Sequence, residues 1–492
     1  MTADKERQVR NGLIYMFSQA MNTVLPMIAI YIFSRILSKE DYGTWGLAQV
    51  YGIIASGVVH LGMRSAYERN FFQYRTDARK LAQLLYSTLL FVFGNFFLIC
   101  AITFVFRGWL AAFFIGSAVH GSLLFWAFCG QFSYSVLSYY LAYFRNLERA
   151  VDYAAYTFLF GFFNLALAFV FVGELRTGVI GLAWGQVGAG VIVFVLQALR
   201  VLRWLRPAFG VDVMWESLVI AFPLTPRIFF GVINTQFDKY MLGLLGTVGG
   251  VGIYNIGQRV ATATFSSMNA LQNVYFPQVY KRMFDLGDAS GEAVGQYLTP
   301  FAYLSVFPAL LIALFAEEAI SLLTPPSFHE ASPIITILAM YYGTLFFGKQ
   351  PQLIFAKKTY MASLLVLASI GINAGLNIPF IIRWGAVGAA WATLLGGIIS
   401  GAIAFLVSQY FYEIKWEYRK IFSIYALFLL PALALVVMKY YAVAYVYRLL
   451  VKVITVGVYI LLGTSVGVVT KSNMQMCRDL FRRVTPAGGV PR

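Results

Sequence analysis

The sequence predicts an all-α, polytopic membrane protein. Of its 492 residues, 60% are hydrophobic and 12% are charged, and the mean hydropathy is +0.72. Apolar runs follow one another along the chain, and no polar stretch between them is long enough for a soluble domain. A helix needs roughly 20 apolar residues to cross the hydrocarbon core of a bilayer. The runs therefore predict about fourteen transmembrane helices.

The predicted spans share this length and apolar character, and they are ordered along the whole chain. They begin near Gly12, Tyr42, Ala82, Ala118, Tyr153, Gly178, Ser217, Gly250, Tyr297, Ala331, Tyr360, Gly385, Ile421 and Leu449. Basic residues precede the first span, but it is too long for a signal-peptide core and lacks a small-residue cleavage pattern. We therefore expect this first helix to be retained.

The distribution of Lys and Arg predicts the orientation, because basic residues stay in cytoplasmic loops. Fourteen spans put both termini on one side, and most basic residues lie in the loops of that side. We expect a multi-pass protein of the cytoplasmic (inner) membrane with both termini in the cytoplasm. Lys439, Arg448 and Lys452 are the exception, since they surround the last predicted outer turn.

The composition also argues against several classes of function. The formal net charge of +16 is dispersed over short loops that face anionic lipid headgroups, which does not favour nucleic-acid binding. The three cysteines and three histidines lack the spacing of a metal site, so neither a metal nor a cofactor is expected.

One short motif is similar to a nucleotide-binding loop. The stretch "GTLFFGKQ" at residues 343–350 matches G-x-x-x-x-G-K, but Gln350 and Pro351 follow the lysine. A phosphate-binding loop needs Ser or Thr at that point and follows a strand, whereas this stretch lies in the tenth predicted span. We expect Lys349 to reach towards the cytoplasmic interface. With no catalytic arrangement of Ser, His, Asp or Cys either, the sequence does not predict an enzyme.

Two segments recur at nearly the same spacing. "GVIGLAW" at residues 178–184 is similar to "GAVGAAW" at 385–391, and "GTWGLAQ" at 43–49 is similar to "GIYNIGQ" at 252–258. The spacing predicts a duplication, with one six-helix lobe at residues 1–206 and another at 207–415. Residues 416–492 then hold two additional helices and a basic cytoplasmic tail. Transporters built from such parallel repeats bind substrate between the halves, near the midplane.

Polar residues follow one face of three predicted spans at steps of three or four. The first span carries Gln19, Asn22 and Thr23, and the seventh carries Arg227, Gly231, Asn234 and Asp238. The eighth carries Asn255, Gln258, Arg259, Thr262, Ser266, Asn269 and Asn273. Such stripes line a cavity or make hydrogen bonds between packed helices, and the pattern alone leaves both readings open.

Arg227 and Arg259 favour the cavity. An arginine at the centre of a membrane helix costs at least about 2.5 kcal/mol, so it tends to face water, a counter-ion or a substrate. Acidic partners are scarce, since Asp238 lies near the outer end of its span beside Lys239. The planar guanidinium is suited to bidentate contact with phosphate. The two arginines therefore predict a site for an anion.

Two longer segments resemble a known family. Residues 34–49, "SRILSKEDYGTWGLAQ", look like the family's turn between its first and second helices. Residues 238–261, "DKYMLGLLGTVGGVGIYNIGQRVA", look like its link between the seventh and eighth. The basic amphipathic loop at residues 64–80 also fits. The family is that of the polysaccharide transporters, or O-antigen and exopolysaccharide flippases, in the superfamily of multidrug and toxin extruders and lipid II flippases.

The resemblance implies a two-lobed flippase that moves a lipid-linked oligosaccharide, carried on undecaprenyl diphosphate, to the outer leaflet by alternating access. The bilayer and polysaccharide polymerase or export proteins are its implied partners, and no nucleic acid is. The candidate substrate contacts are Arg227, Arg259, Asn234, Gln258, Asn255, Gln19, Asp238 and Lys349. In this interpretation the arginines contact the diphosphate or acidic sugars, and the amides bind hydroxyl groups.

Three alternatives remain open. A cation-coupled multidrug exporter would need a buried carboxylate, and no carboxylate lies near the middle of a predicted span. A lipid II-type flippase differs only in its cargo. A membrane scaffold for a synthase would not need long polar stripes.

Overall fold

The computed structural model describes residues 2–287, 291–348, 351–356 and 358–467. Every secondary-structure element in these ranges is a helix. A few side chains within the helices, including that of Arg227, lie outside the description. In the first part of the chain the helices are α1 Thr2–Phe33, α2 Lys39–His60, α3 Met63–Tyr74, α4 Ala78–Ile115, α5 Gly121–Asn146, α6 Ala150–Phe169, α7 Ile180–Leu202 and α8 Val211–Leu245. The remainder are α9 Val248–Leu286, α10 Gly291–Leu314, α11 Ala316–Leu323, α12 Ala331–Thr344, α13 Pro351–Phe355, α14 Thr359–Phe411, α15 Tyr418–Tyr440 and α16 Tyr445–Val466.

Ten stretches of helix among the described residues are long and apolar enough to cross a membrane. The number is eleven if α2 and α3, which are bent by 43° at a short break, count as one span. The prediction of an all-helical, multi-pass membrane protein is confirmed. The predicted count of fourteen is not confirmed, although each predicted span falls largely within a helix.

The difference in the count has a physical cause. Helices α5 and α9 contain predicted spans but carry too many polar residues to qualify by composition. The 53-residue α14 contains two predicted spans and counts once. It is sharply kinked at Gly385, whose φ of 54° and ψ of −129° favour glycine because they bring a Cβ into steric conflict.

The described chain forms two compact units. The first comprises Met1–Arg259, Ile320–Ala331 and Ala374–Ala392, and the second comprises Val260–Ala319, Ser332–Asn373 and Thr393–Arg492. These boundaries come from packing, and the predicted lobes at residues 1–206 and 207–415 stay a prediction.

In the first unit, α5 lies at the centre and packs against α2, α4 and α7, while α6 packs against α1 and α7. Helix α8 packs against α2, α3 and α4. Aromatic rings fill the space between these helices, as with Phe96 and Phe132, which stack with their centroids 3.8 Å apart. The N-terminus of α2 is fixed by a capping box, in which the Ser38 Oγ and the Asp41 carboxylate each accept a backbone N–H of the other residue.

In the second unit, α10 packs against α15 and α16. Tyr303 and Tyr459 stack with their ring centroids 4.7 Å apart, and each hydroxyl donates to the other residue's backbone carbonyl, at 3.1 and 2.9 Å. Helix α16 is therefore joined to α10 by a buried, reciprocally hydrogen-bonded pair.

Candidate functional site

Helices α2 and α9 cross at the two glycines that begin the two copies of the recurring segment. A Cβ on Gly43 would lie 1.7 Å from the carbonyl oxygen of Val248, and one on Gly252 would lie 2.0 Å from that of Lys39. Each carbonyl belongs to the residue four positions before the opposite glycine, so the contact is reciprocal. Only glycine lets two helix backbones come this close. The crossing fixes the register of α2 against α9.

This register brings Arg259 against Gln49, less than two turns beyond the glycines. The Arg259 Nη2 donates to the Gln49 Oε1 at 3.1 Å. Asn255, one turn nearer the crossing, is 1% exposed, and its Nδ2 has no hydrogen-bond partner among the described groups. The pair consists of a charged donor and a neutral acceptor, so the positive charge of Arg259 is not neutralised by it.

Arg259 and Gln49 form part of the wall of a cavity of about 560 Å³ inside the first unit. Six amide side chains from five helices share the wall with Arg259: Gln19, Asn22, Gln49, Gln131, Asn164 and Gln186. The Gln186 Nε2 donates to the Gln131 Oε1 at 3.2 Å, which orients both amides. Aromatic side chains, including those of Tyr42 and Trp45, complete the lining. The surface combines amide donors and acceptors with apolar ring faces and one cation.

A second cavity of about 300 Å³ adjoins the first and shares Asn22, Gln131 and Tyr134 with it. Side chains from α1, α3, α5 and α6 surround it. Its charged lining residues are Arg64, in the first turn of α3, and Arg145, in the last turn of α5. The two cavities lie side by side within the first unit, with Arg259 in the wall of the larger one and Arg64 and Arg145 in the wall of the smaller one.

A partly buried histidine orders the wall of this second cavity. The His60 Nε2 lies 2.8 Å from the Ser135 Oγ, and its Nδ1 lies 3.0 Å from the Tyr139 hydroxyl. The Ser56 hydroxyl is also within hydrogen-bond distance of Ser135, at 2.8 Å. Both ring nitrogens are thus engaged, and they hold Ser135 in place at the cavity surface.

The predicted contacts are distributed over several places. Arg259 and Gln19 lie in the wall of the larger cavity. Asn255 and Gln258 lie on α9 beside Arg259 without lining the cavity, and Asn234 lies on α8. The remaining three are Asp238, Arg227 and Lys349.

Asp238 is buried in a structural network. Its carboxylate accepts hydrogen bonds from the Tyr254 hydroxyl at 3.2 Å and from the Asn377 Nδ2 at 2.9 Å. The network ties α8 to α9 and α14 within the first unit, away from the larger cavity. Arg227 lies in α8, but its side chain is outside the described residues, and so is Lys349 altogether.

The sequence patterns identify only a part of the lining of the larger cavity. Asn164 and Gln186 each stand among apolar neighbours on a different helix, so neither forms a stripe. Gln131 did carry a signal, since Ser135 and Ser138 follow it on α5 at steps of four and three. Gln49 carried a signal, since it ends the first recurring segment at the position equivalent to Gln258. Arg64 and Arg145 lie at helix ends, where basic residues are expected for reasons of topology.

Two of the three basic residues around the last predicted outer turn, Arg448 and Lys452, have carboxylate partners in the second unit. Lys452, whose side chain is 2% exposed, contacts both Glu318 and Glu317, and the Arg448 Nη2 lies 3.1 Å from the Glu317 Oε1. Burial alone would raise the pKa of Glu318, but hydrogen bonds from Lys452 and Tyr445 hold that pKa below its ordinary value. Lys439 lines a small cavity beside them. The ion pairs of Arg448 and Lys452 therefore join α16 to α11.

The chain matches a family of known proteins over much of its length. The polysaccharide biosynthesis protein family matches residues 8–283, which is more than half of the chain. The chain belongs to that family. This polysaccharide biosynthesis protein is also 27% identical over 197 residues to the probable low-salt glycan biosynthesis flippase Agl15 of Haloferax volcanii. The match covers 39% of the chain and 41% of that relative.

Solved structures agree on the fold. The lipid II flippase MurJ in its inward closed conformation superposes with a TM-score of 0.62 at 12% identity, over 92% of this chain and 98% of that one. An inward-facing multidrug resistance MATE family transporter of the MOP superfamily gives a TM-score of 0.60 at 16% identity, over 84% and 98%. The predicted fold class and the predicted family resemblance are both confirmed.

Proposed function

We propose that this polysaccharide biosynthesis protein is a flippase for a lipid-linked oligosaccharide. The substrate is carried on a polyprenyl diphosphate such as undecaprenyl diphosphate and crosses the cytoplasmic membrane by alternating access. The observation that carries the proposal is the cavity of about 560 Å³, lined by six amides and Arg259, inside an apolar helical unit. Its polar wall requires a hydrophilic occupant.

Energetics support this interpretation. A polar group without a hydrogen-bond partner costs roughly 1–3 kcal/mol by mutational measures when it is removed from water, so a wall of this kind stays hydrated or binds a hydrophilic ligand. Amides both donate to and accept from sugar hydroxyls. The ring of Tyr134, which is 48% exposed, offers an apolar surface to the C–H groups of a sugar. Together these groups suit an oligosaccharide better than an apolar drug.

The charged part of the substrate explains the arginine. Arg259 carries a permanent charge, and its described partner Gln49 is neutral. In the proposal Arg259 and Arg227 contact the diphosphate or acidic sugars, while Asn234, Asn255 and Gln258 bind hydroxyl groups in another conformation of the transporter. The polyprenyl tail remains in the lipid. Multidrug export of a cation is disfavoured by the same positive charge.

Similarity adds two supports. The name of the Haloferax volcanii relative assigns it to glycan biosynthesis as a flippase, and the folds of MurJ and of the MATE transporter include an inward-facing or inward closed conformation. Alternating access between two lobes is the mechanism for which such repeats are used. We also propose that both termini are cytoplasmic, since most basic loops lie on their side.

The test is export of surface polysaccharide from a strain that lacks the gene and carries a variant copy. Arg259→Gln should lose most export at an equal amount of protein in the membrane, and Arg227→Ala combined with Arg259→Ala should lose it fully. Arg107→Gln is the matched control, because Arg107 stacks on Phe104 at 4.7 Å on α4 and does not line the cavity. Full export by the double variant would refute the assignment.

A further inference from the structure

The second cavity contains an excess of positive charge. The Arg145 Nη2 lies 3.0 Å from the Glu68 Oε1, and the Arg64 Nε lies 3.5 Å from the same oxygen. Two guanidinium groups therefore share a single carboxylate, which leaves a net charge of about +1 at the wall. Arg64 and Arg145 remain 56% and 42% exposed at their side chains, so they are open to a ligand in the cavity.

Hydroxyl groups converge on the same space. Ser135, Ser138, Tyr134, Tyr153 and Thr157 all line this cavity together with the two arginines. Each guanidinium has five N–H donors, of which Glu68 engages a minority. The hydroxyls of Ser135, Ser138 and Thr157 already donate to backbone carbonyls. The further donors to a ligand are therefore the Tyr134 and Tyr153 hydroxyls. A group that only accepts hydrogen bonds and carries negative charge fits such a wall. Phosphate oxygens are of this kind, and arginine binds them in a bidentate manner.

We propose that Arg64 and Arg145 form a second anion-binding site, which holds the diphosphate of the lipid-linked substrate while its sugars occupy the adjoining larger cavity. This inference rests on the proposed function. The proposal places the diphosphate in the second cavity, on the side that the charge distribution predicts to be cytoplasmic, where a substrate is first bound. Arg259 then contacts the anion, or an acidic sugar, only after the substrate has advanced.

The position of the cavity favours the substrate over a bilayer lipid as the source of the phosphate. Four helices, α1, α3, α5 and α6, contribute to its wall, and the wall continues into that of the sugar cavity. A lipid headgroup bound at the outside of the unit would not need a site that adjoins the larger cavity. Glu68 acts as an internal counter-ion that weakens the attraction for anions and allows the ligand to leave.

The test uses the full-length protein in nanodiscs of zwitterionic lipid, titrated with farnesyl diphosphate as a short sugar-free probe. We expect Arg64→Gln and Arg145→Gln each to weaken binding about tenfold or more, the loss for one charge-assisted hydrogen bond. Glu68→Gln should strengthen binding, because both arginines are then without a counter-ion. Arg149→Gln should leave it unchanged, since Arg149 pairs with Asp152 outside the cavity.

This pattern separates a binding site from structural ion pairs. If the arginines only stabilise the helix ends, all three variants of the cluster lower the thermal midpoint, and none of them changes the affinity for the probe. That result would overturn the proposal. Arg145→Lys covers the case in which the glutamine variant does not fold, since the charge remains while the planar fork is lost, and affinity should fall part of the way.

Two further arms identify the source of the phosphate. Inorganic pyrophosphate should compete with farnesyl diphosphate, whereas farnesol should not. If nanodiscs with anionic phosphatidylglycerol abolish probe binding in a way that depends on Arg64 and Arg145, the site belongs to a bilayer lipid and the proposal fails. The binding assay uses a probe without sugars, and it does not measure export. Normal export by Arg259→Gln would therefore refute the proposed function and leave this measurement interpretable.

Discussion

The crossing of α2 and α9 offers a sharp test of the packing. In Gly43→Ala the new Cβ would lie 1.7 Å from the Val248 carbonyl oxygen, whereas ordinary contact begins at 3.4 Å. The two backbones must therefore separate locally by 3.4 − 1.7 = 1.7 Å, because a helix carbonyl cannot rotate away. Gly252→Ala requires 3.4 − 2.0 = 1.4 Å at the Lys39 carbonyl. Overpacking of this kind typically costs about 1–3 kcal/mol.

Since the contact is reciprocal, the two substitutions should not be additive. Once Gly43→Ala has separated the helices, most of the space that Gly252→Ala needs already exists. Neighbouring residues that share a backbone shift commonly show coupling energies of about 0.5–3 kcal/mol. We expect the double variant to be little less stable than Gly43→Ala alone.

The assay is thermal denaturation of the purified protein in one detergent, followed by the loss of monodisperse protein. Gly57→Ala is the control on the same helix, because its Cβ would meet no atom nearer than the Val232 Cγ2 at 3.8 Å. A Gly43→Ala midpoint equal to that of Gly57→Ala would refute the close approach. Fully additive effects of Gly43→Ala and Gly252→Ala would refute the reciprocal contact.

Three other outcomes follow from buried charges. Glu318→Gln should lower the thermal midpoint more than Lys452→Met, because the first leaves a buried ammonium group poorly paired whereas the second removes it. Because the folded-state pKa of Glu318 is lowered, its stabilising effect should be present above the ordinary value of 4.5 and be lost as pH falls through the folded pKa. Stability of Glu318→Gln should change less over that acidic range, and an unchanged slope would contradict the ion pair. Asp238→Asn should cost about 1–3 kcal/mol by weakening the bonds from Asn377 and Tyr254, and an unaltered midpoint would show that these bonds contribute nothing.

The sequence predicted the class of fold well, because membrane helices are selected by length and apolarity alone. It could not give the number of spans by the same rule, since α5 and α9 carry the polar residues that serve the interior. The twelfth span is predicted to begin near Gly385, and the structure has a kink there, through which α14 continues. Hydrophobicity identifies what faces lipid, and it is least informative for helices that face a cavity.

The cavity was predictable in kind and only partly in composition. Periodicity found Gln19 and Arg259, which belong to stripes, and it also selected Asp238, which is engaged in a network of its own. Gln186 escaped because a single amide on a helix has no period, whereas Gln131 begins a stripe with Ser135 and Ser138 that the predicted stripes do not include. Their meaning depends on the packing of α5 against α7, which brings the two amides within 3.2 Å of each other. No pattern within one helix contains that information.

The two recurring segments at residues 43–49 and 252–258 share a packing arrangement but differ in the residue that follows them. Gly43 and Gly252 begin the two copies and occupy equivalent places in one crossing, and Gln49 and Gln258 end them. The next residue differs in kind, since Val50 is fully buried whereas its counterpart Arg259 lines the cavity. A backbone arrangement shared by both copies thus presents a charge from one of them only. In the proposed function, an anion bound at Arg259 is therefore contacted by a charge from one copy of the segment only.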